Sequence, residues 1–191
     1  SHASGSAVSL VEKQVTVLRE RNIEMRQRLN ALTANARHND KLYEQTRRLV
    51  LALLDAESLP ALCGAFTRAM HDDFEVEHAS IILFGDRHKA PEGVRVESGE
   101  RARIEIGALL RGRKALCGPL REEELNYLFP EAGAVGSAAV MPLLSGEEVG
   151  VIAVGSSDAH RYSSSMGTLF LQHIAEVLVR LLPRLGVGPG S

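Results

Sequence analysis

The chain has 191 residues with a formal net charge of -2 at pH 7, and only 4% of its residues are aromatic. A near-neutral charge and so few aromatic side chains exclude the basic, stacking-rich surface of many nucleic-acid-binding proteins. The two cysteines exclude a disulfide scaffold. Because no apolar run reaches the roughly 18 residues of a membrane span, we expect a cytoplasmic protein with neither a nucleic-acid nor a membrane partner.

Apolar residues from Val8 to Leu53, within the segment Ser6–Leu59, predict one long helix that faces another helix. Glycine and proline, the strongest helix breakers, are absent from this segment. Its apolar residues alternate at spacings of three and four, which is typical of a coiled-coil seam. A break at residues 35–40, where the seam becomes polar, is the alternative to a continuous helix. The predicted oligomer interface comprises Val8, Val11, Val15, Leu18, Asn22, Met25, Leu29 and Leu32.

This seam predicts a homo-oligomer, most simply a dimer. Asn22 lies among apolar seam positions, where a buried Asn costs stability but favours a two-stranded register. In a parallel pair, however, Arg21 of one chain would face Arg26 of the other. The sequence therefore leaves parallel and antiparallel pairing open, together with a four-helix assembly or an acidic protein partner bound by this helical stalk.

After residue 57 the predicted elements are short, and helices and strands are interspersed. Both arms of a hairpin near residue 146 are almost wholly apolar, which predicts interior strands with both faces covered. In chain order we predict a helix from Ser58 to Asp72, strands at 77–84 and 94–97, a helix at 101–111, a strand at 115–120, a helix at 121–128, hairpin strands at 137–144 and 149–155, and a helix at 166–182. This order indicates an α+β domain with a mainly antiparallel sheet and helices collected on one face.

Two adjoining segments resemble known families. Residues 140–154, Val-Met-Pro-Leu-Leu-Ser-Gly-Glu-Glu-Val-Gly-Val-Ile-Ala-Val, resemble the hairpin pattern of GAF domains. Residues 155–171 are similar to an uncharacterised bacterial GAF-like family, domain of unknown function 484, in which a long helix precedes the domain. The resemblance covers about residues 41–182. It implies a GAF-like fold, and it implies a regulatory or scaffold role more readily than an enzymatic one, since most GAF domains bind small molecules or dimerise.

With this resemblance, we divide the chain into four parts. They are a tail or cloning remnant at 1–6, a coiled-coil stalk at 7–40, a GAF-like domain at 41–184 and a flexible tail at 185–191. Ligands of GAF-like sheets lie between the sheet and the elements that cover it. The resemblance therefore implies a pocket for a small molecule, with Arg161 offering donors to a carboxylate or phosphate; the alternative is a surface Arg161 paired with Asp158. The candidate pocket residues are Ser80, Ile82, Phe84, Cys117 and Arg161.

An enzyme is the alternative function. Residues 112–118 are similar to the segment that carries a reactive cysteine in GAF-type free methionine sulfoxide reductases, which implies a thiol chemistry for Cys117. We interpret Cys63 as a small core residue on a helix stripe. We predict no metal site, because the acidic and histidine residues at 71–78 mark a solvated helix end. No nucleotide-binding motif is present, so the sequence leaves any cofactor unknown.

Overall fold

The computed structural model describes residues 2–163 and 168–187. The chain divides into two compact units, Ser1–Glu44 and Gln45–Ser191, four residues later than the predicted boundary. The first helix, α1, spans His2–Leu54. It has no break at residues 35–40, and residues 2–6, interpreted above as a tail, belong to it.

The second unit is built on a five-stranded sheet. Its strands are β1 (His78–Phe84), β2 (Val96–Glu97), β3 (Leu116–Gly118), β4 (Ser137–Ser145) and β5 (Glu147–Ser156). They lie in the order β2-β1-β5-β4-β3, with β1 and β2 parallel and the other neighbours antiparallel. The β4–β5 hairpin is thus interior, as its apolar sequence predicts.

The helices of this unit begin and end close to the predicted positions. They are α2 (Leu59–Asp72), α3 (Gly99–Leu110), α4 (Glu122–Leu128) and α5 (Leu169–Leu181). Ser58 caps α2, as predicted: its side chain accepts from the Ala61 N–H. The predicted start of the last helix, at 166–167, and the end of the predicted tail, at 188–191, lie outside the described residues. No helix in the described part of the chain combines the length and the low polarity that a membrane crossing requires.

Helical layers cover both faces of the sheet. On one face, Ile82, Val140 and Val151 form a core with residues of α3 and α4. Side chains alternate along a strand, so Ile81, Met141 and Ile152 point to the other face, where α2 packs against β1 and α5 packs against β4. The predicted α+β class is confirmed, but we expected helices on one face only. Strands that are apolar on both sides need cover on both sides.

Candidate functional site

A groove of about 770 Å³ runs along the outer edge of β1. We call it the β1-edge groove. Residues 77–81 form its floor, α2 residues 63–71 form one wall, and residues 128–132, from the end of α4 onward, form the other. The edge is open because β2 is only two residues long and pairs with Leu83 and Phe84 alone.

Arg95 lies at one end of the groove and binds the wall formed by residues 128–132. Its guanidinium donates to the carbonyl oxygens of Tyr127 and Leu128, the latter at 3.3 Å, and lies 5.1 Å from the centre of the Tyr127 ring. Glu97 lies 3.7 Å away as its ionic partner. Partial burial lowers the pKa of Arg95, and the nearby Glu97 carboxylate opposes that shift. The side chain therefore acts as a cationic clamp on residues 127–128.

Two polar side-chain atoms at or near the groove lack partners. Ser80 Oγ and the Tyr127 hydroxyl are buried, and neither has a hydrogen-bond partner among residues 2–163 and 168–187. Burial also raises the pKa of Tyr127 to about 12, so the phenol is neutral at physiological pH. An unsatisfied buried polar group costs about 1–3 kcal/mol. Ser80 lines the groove, so this unsatisfied hydroxyl lies at its floor.

The structure brings only part of the predicted pocket together. Ser80, Ile82 and Phe84 share one face of β1, as alternate residues must. Ile82 is fully buried in the core formed with α3 and α4, and Phe84 packs against the same core. The space in which we predicted a ligand is therefore filled by the protein's own side chains, and of these three residues only Ser80 lines the β1-edge groove.

Cys117 faces away from Ser80. In the sheet register, Cys117 pairs with Ala139 and Ala139 with Val154, whereas Ser80 pairs with Ala153. Neighbouring paired residues point to the same face, so Cys117 and Ser80 lie on opposite faces. The two residues also lie three strands apart, roughly 14 Å at the usual strand spacing. The inclusion of Cys117 with Ser80 in one pocket is thus not supported by the register.

Arg161 has a different role from either of the two interpretations above. It donates to the carbonyl oxygens of Glu75 at 2.9 Å and Phe74 at 3.0 Å, and its guanidinium lies 5.4 Å from the centre of the Tyr162 ring. Asp158 contacts it only through the main chain, by accepting from the Arg161 N–H at 3.3 Å. Arg161 thus ties the α2–β1 connection to the loop after β5.

From these contacts, Arg161→Ala should lower the free energy of unfolding by about 1 kcal/mol, because two charge-assisted hydrogen bonds at a partly solvated site are lost. Urea denaturation followed by circular dichroism measures the change. The control is Arg103→Ala on α3, an exposed position at which we expect a change within about 0.5 kcal/mol. Equal effects of the two substitutions would contradict the structural role of Arg161.

Sequence reasoning missed Arg95 and the two walls of the groove. Arg95 stands between Val94 and Val96 in a short alternating run, which indicates an exposed strand residue and nothing more. Its carbonyl partners are more than 30 residues away. No group of three or more histidine, cysteine or acidic side chains in the described ranges is arranged to hold a metal ion.

Comparisons with known proteins add relatives and a fold. The family model described as "Protein of unknown function, DUF484" matches residues 1–187. "Uncharacterized protein YigA" of Salmonella typhimurium is 32% identical over 190 residues, which cover 96% of this chain and 79% of that protein. The protein of the same name in Escherichia coli K12 is 33% identical over 190 residues, with the same coverage of both chains.

Solved structures of low identity share the fold. The GAF domain of an Acinetobacter phosphoenolpyruvate-protein phosphotransferase aligns with a TM-score of 0.59 at 16% identity, over 78% of this chain and 97% of that one. The reduced form of fRMsr of Staphylococcus aureus aligns with a TM-score of 0.53 at 12% identity, over 74% and 94%. At such identities the likeness establishes a GAF-like fold and no activity.

Proposed function

The chain belongs to DUF484, a family of unknown function, and we propose that it is a non-catalytic regulatory protein. In this proposal it dimerises through α1 and receives its input as a ligand bound in the β1-edge groove of its GAF-like unit. The observation that carries the proposal is the apolar stripe on α1. The groove supplies a separate binding surface with an unsatisfied polar group.

The stripe on α1 is exposed along its whole length. Leu18 is 63% exposed, Leu29 is 57% exposed and Leu32 is 64% exposed. Burial of apolar surface is the main driving force of association, and a continuous apolar stripe on a soluble helix marks an interaction surface. A second copy of α1 offers the same heptad spacing, so the two stripes complement one another.

The chemistry of the groove supports binding rather than catalysis. Cys63 lines it, but burial raises the pKa of the Cys63 thiol to about 11. At neutral pH this thiol is protonated, whereas nucleophilic chemistry requires the thiolate. Among the other polar residues that line it, Ser80, Arg68 and Arg95 carry groups that can donate hydrogen bonds to a ligand.

Light scattering on the full chain across a range of concentrations tests the dimer. We expect a particle of twice the 20.7 kDa chain mass at micromolar concentration. Parallel and antiparallel pairing are distinguished by spin labels at the two ends of α1, which lie close to their own counterparts only in a parallel pair. A chain that stays monomeric at high micromolar concentration would overturn the proposal.

A thiol-reductase activity is the competing function, and the positions of the cysteines argue against an internal couple. Cys63 lies on α2, which packs on β1, whereas Cys117 lies on β3 at the opposite edge of the sheet. The distance between β1 and β3, three strand spacings or roughly 14 Å, is about twice the Cα separation that a disulfide allows. A Cys63–Cys117 disulfide within one chain does not fit this fold.

Alkylation kinetics and an activity assay together test this competing function. At pH 8, iodoacetamide should modify the partly exposed Cys117 at least tenfold faster than the buried Cys63, of which only about one molecule in a thousand is thiolate at that pH. The variant Cys117→Ser identifies the fast site by mass spectrometry. We expect no turnover of free methionine sulfoxide with a thiol reductant. Turnover that disappears in Cys117→Ser would establish the enzyme instead.

A further inference from the structure

We propose that the β1-edge groove binds an extended peptide segment of a partner protein as an additional strand beside β1, with an acidic side chain of the peptide facing Arg68. This inference rests on the proposed function, in that it names the class of ligand for the same groove. Three features of the groove support it, namely unpaired main-chain groups, an exposed strand without proline, lysine or bulge, and an unpaired cation.

The first feature is a set of main-chain groups that face the groove. The Leu83 N–H donates to the Arg95 carbonyl at 3.0 Å, on the outer side of β1. Main-chain groups of alternate residues point to the same side of a strand, so those of Ala79 and Ile81 also point outward. No strand pairs with this side of β1 before Leu83 in the described part of the chain. Two N–H donors and two carbonyl acceptors are thus available to an added strand.

The second feature is that the exposed strand itself contains no proline, lysine or bulge. Natural sheets protect open edges with charged residues, proline, bulges or a covering element. Residues 78–82, His-Ala-Ser-Ile-Ile, contain neither proline nor lysine, and their register with β5 is continuous. The adjoining α2 wall carries the small residues Cys63 and Gly64, and the Arg68 side chain lies over Gly64. An added strand would lie at the usual spacing of about 4.8 Å from β1. It would pair with the residues of β1 that precede those paired with β2.

The third feature determines which side chains the peptide should carry. Arg68 is exposed and lines the α2 wall, and none of the ion pairs among the described residues includes it. Its guanidinium lies 3.2 Å from the position that a Cβ on Gly64 would take, so it lies flat along the wall. The nearby carboxylate of Glu77, at the groove floor, does not pair with Arg68. It accepts instead from Ser156 Oγ at 2.7 Å and from the Ser157 N–H.

The two faces of the added strand therefore have different requirements. Side chains directed to the α2 wall meet the unpaired Arg68 guanidinium, which favours a carboxylate. Alternate side chains meet the unpartnered Ser80 Oγ, which favours a small hydroxyl-bearing residue. Glu131 lines the opposite wall and disfavours an acidic residue there. Charge complementarity thus assigns the acidic side chain to the α2 side.

The test uses a capped hexapeptide, acetyl-Thr-Val-Thr-Glu-Thr-Val-amide, with the full-length ¹⁵N-labelled protein. We expect the amide signals of Ala79 and Ile81 to shift on titration and their hydrogen exchange to slow, because both become donors to the peptide. A peptide with Lys in place of Glu should bind about fivefold more weakly. Methylation of alternate peptide nitrogens should abolish binding in one of the two alternation patterns and leave it intact in the other, since only one edge of the added strand pairs with β1.

Protein variants locate the contact. Ala79→Pro removes an outward N–H at an edge position where proline is tolerated, and it should abolish peptide binding while thermal unfolding stays cooperative. Arg68→Glu should reverse the preference for Glu over Lys in the peptide. The matched control is Arg103→Glu on α3, which should leave both affinities unchanged.

Three results would overturn the peptide assignment. The first is that the amide signals of Ala79 and Ile81 do not shift with either peptide at millimolar concentration. The second is that both methylated peptides bind equally well. The third is that the signals of Ser80 and Arg95 respond to acetate or inorganic phosphate while no signal responds to peptides. The last result would assign the groove to a small anion instead. If the chain is dimeric by light scattering but does not bind the peptides, the proposed dimer stands and only the peptide assignment is overturned.

Discussion

Replacing Leu18 and Leu29 together by glutamate is expected to convert the proposed dimer to a monomer. In a two-stranded coil each substitution occurs twice, so four leucines leave the seam and four carboxylates enter it. Removing one buried leucine costs about 2–5 kcal/mol, and an unpaired buried charge costs more. The dissociation constant should therefore rise by more than about a thousandfold, which light scattering over a dilution series measures.

The control for this variant adds the same charge outside the seam. Gln27→Glu and Asn30→Glu occupy heptad positions that face away from the predicted partner, and the double variant should remain dimeric. Circular dichroism should show comparable helix content in both proteins at high concentration. Dissociation of the control as readily as the seam variant would indicate that net charge, and not the stripe, governs assembly.

Gly150→Ala is expected to destabilise the GAF-like unit by about 3 kcal/mol or more, because the sheet has no room for a Cβ at this position. An added Cβ would lie 2.5 Å from the main-chain oxygen of Ile82 and 3.1 Å from a methyl carbon of Leu143. The first of these atoms belongs to the backbone of the neighbouring strand, so relief requires β1 and β5 to separate. Overpacking of a tight interior by even one carbon costs about 1–3 kcal/mol, and lost strand pairing adds to that cost.

Thermal and urea unfolding measure this effect, with Gly107→Ala as the matched control. Nothing lies within 4 Å of a Cβ added at Gly107 on α3. That substitution should be neutral or stabilising by up to about 1 kcal/mol, since alanine restricts the unfolded chain. A Gly150→Ala protein that unfolds like the control would show that β1 and β5 are less tightly paired than the register indicates.

The pattern of neighbouring residues in the sequence was sufficient to predict the positions of most of the helices and strands. Ser58 and Pro60 mark the start of α2 within one residue of its observed position, because a cap and a first-turn proline act through neighbouring backbone groups. The apolar runs on either side of Gly146 predict β4 and β5 and their interior place in the sheet. The turn is tighter than predicted: Ser145 pairs with Glu147 across Gly146, whose φ of 77° favours glycine.

The candidate site depended on information that local pattern does not contain. Ser80 was named from its place on a strand, and it does line the groove. Cys117 and Arg161 were named from resemblance and side-chain chemistry, and neither of them lines the groove. Arg95 was not named at all, because its partners at 127–128 are brought to it only by the packing of α4 against the rest of the unit.

By itself, the sequence determined the long helix with its apolar stripe, the interior hairpin and the α+β class, since each follows from periodicity or from turn residues within a few positions of one another. Only the tertiary structure decided which face Cys117 occupies, where Arg161 donates its hydrogen bonds and which edge of the sheet stays open. Strand register determines the face of every side chain, and the length of β2 determines how much of β1 is covered. Both arise from contacts between segments far apart in the chain.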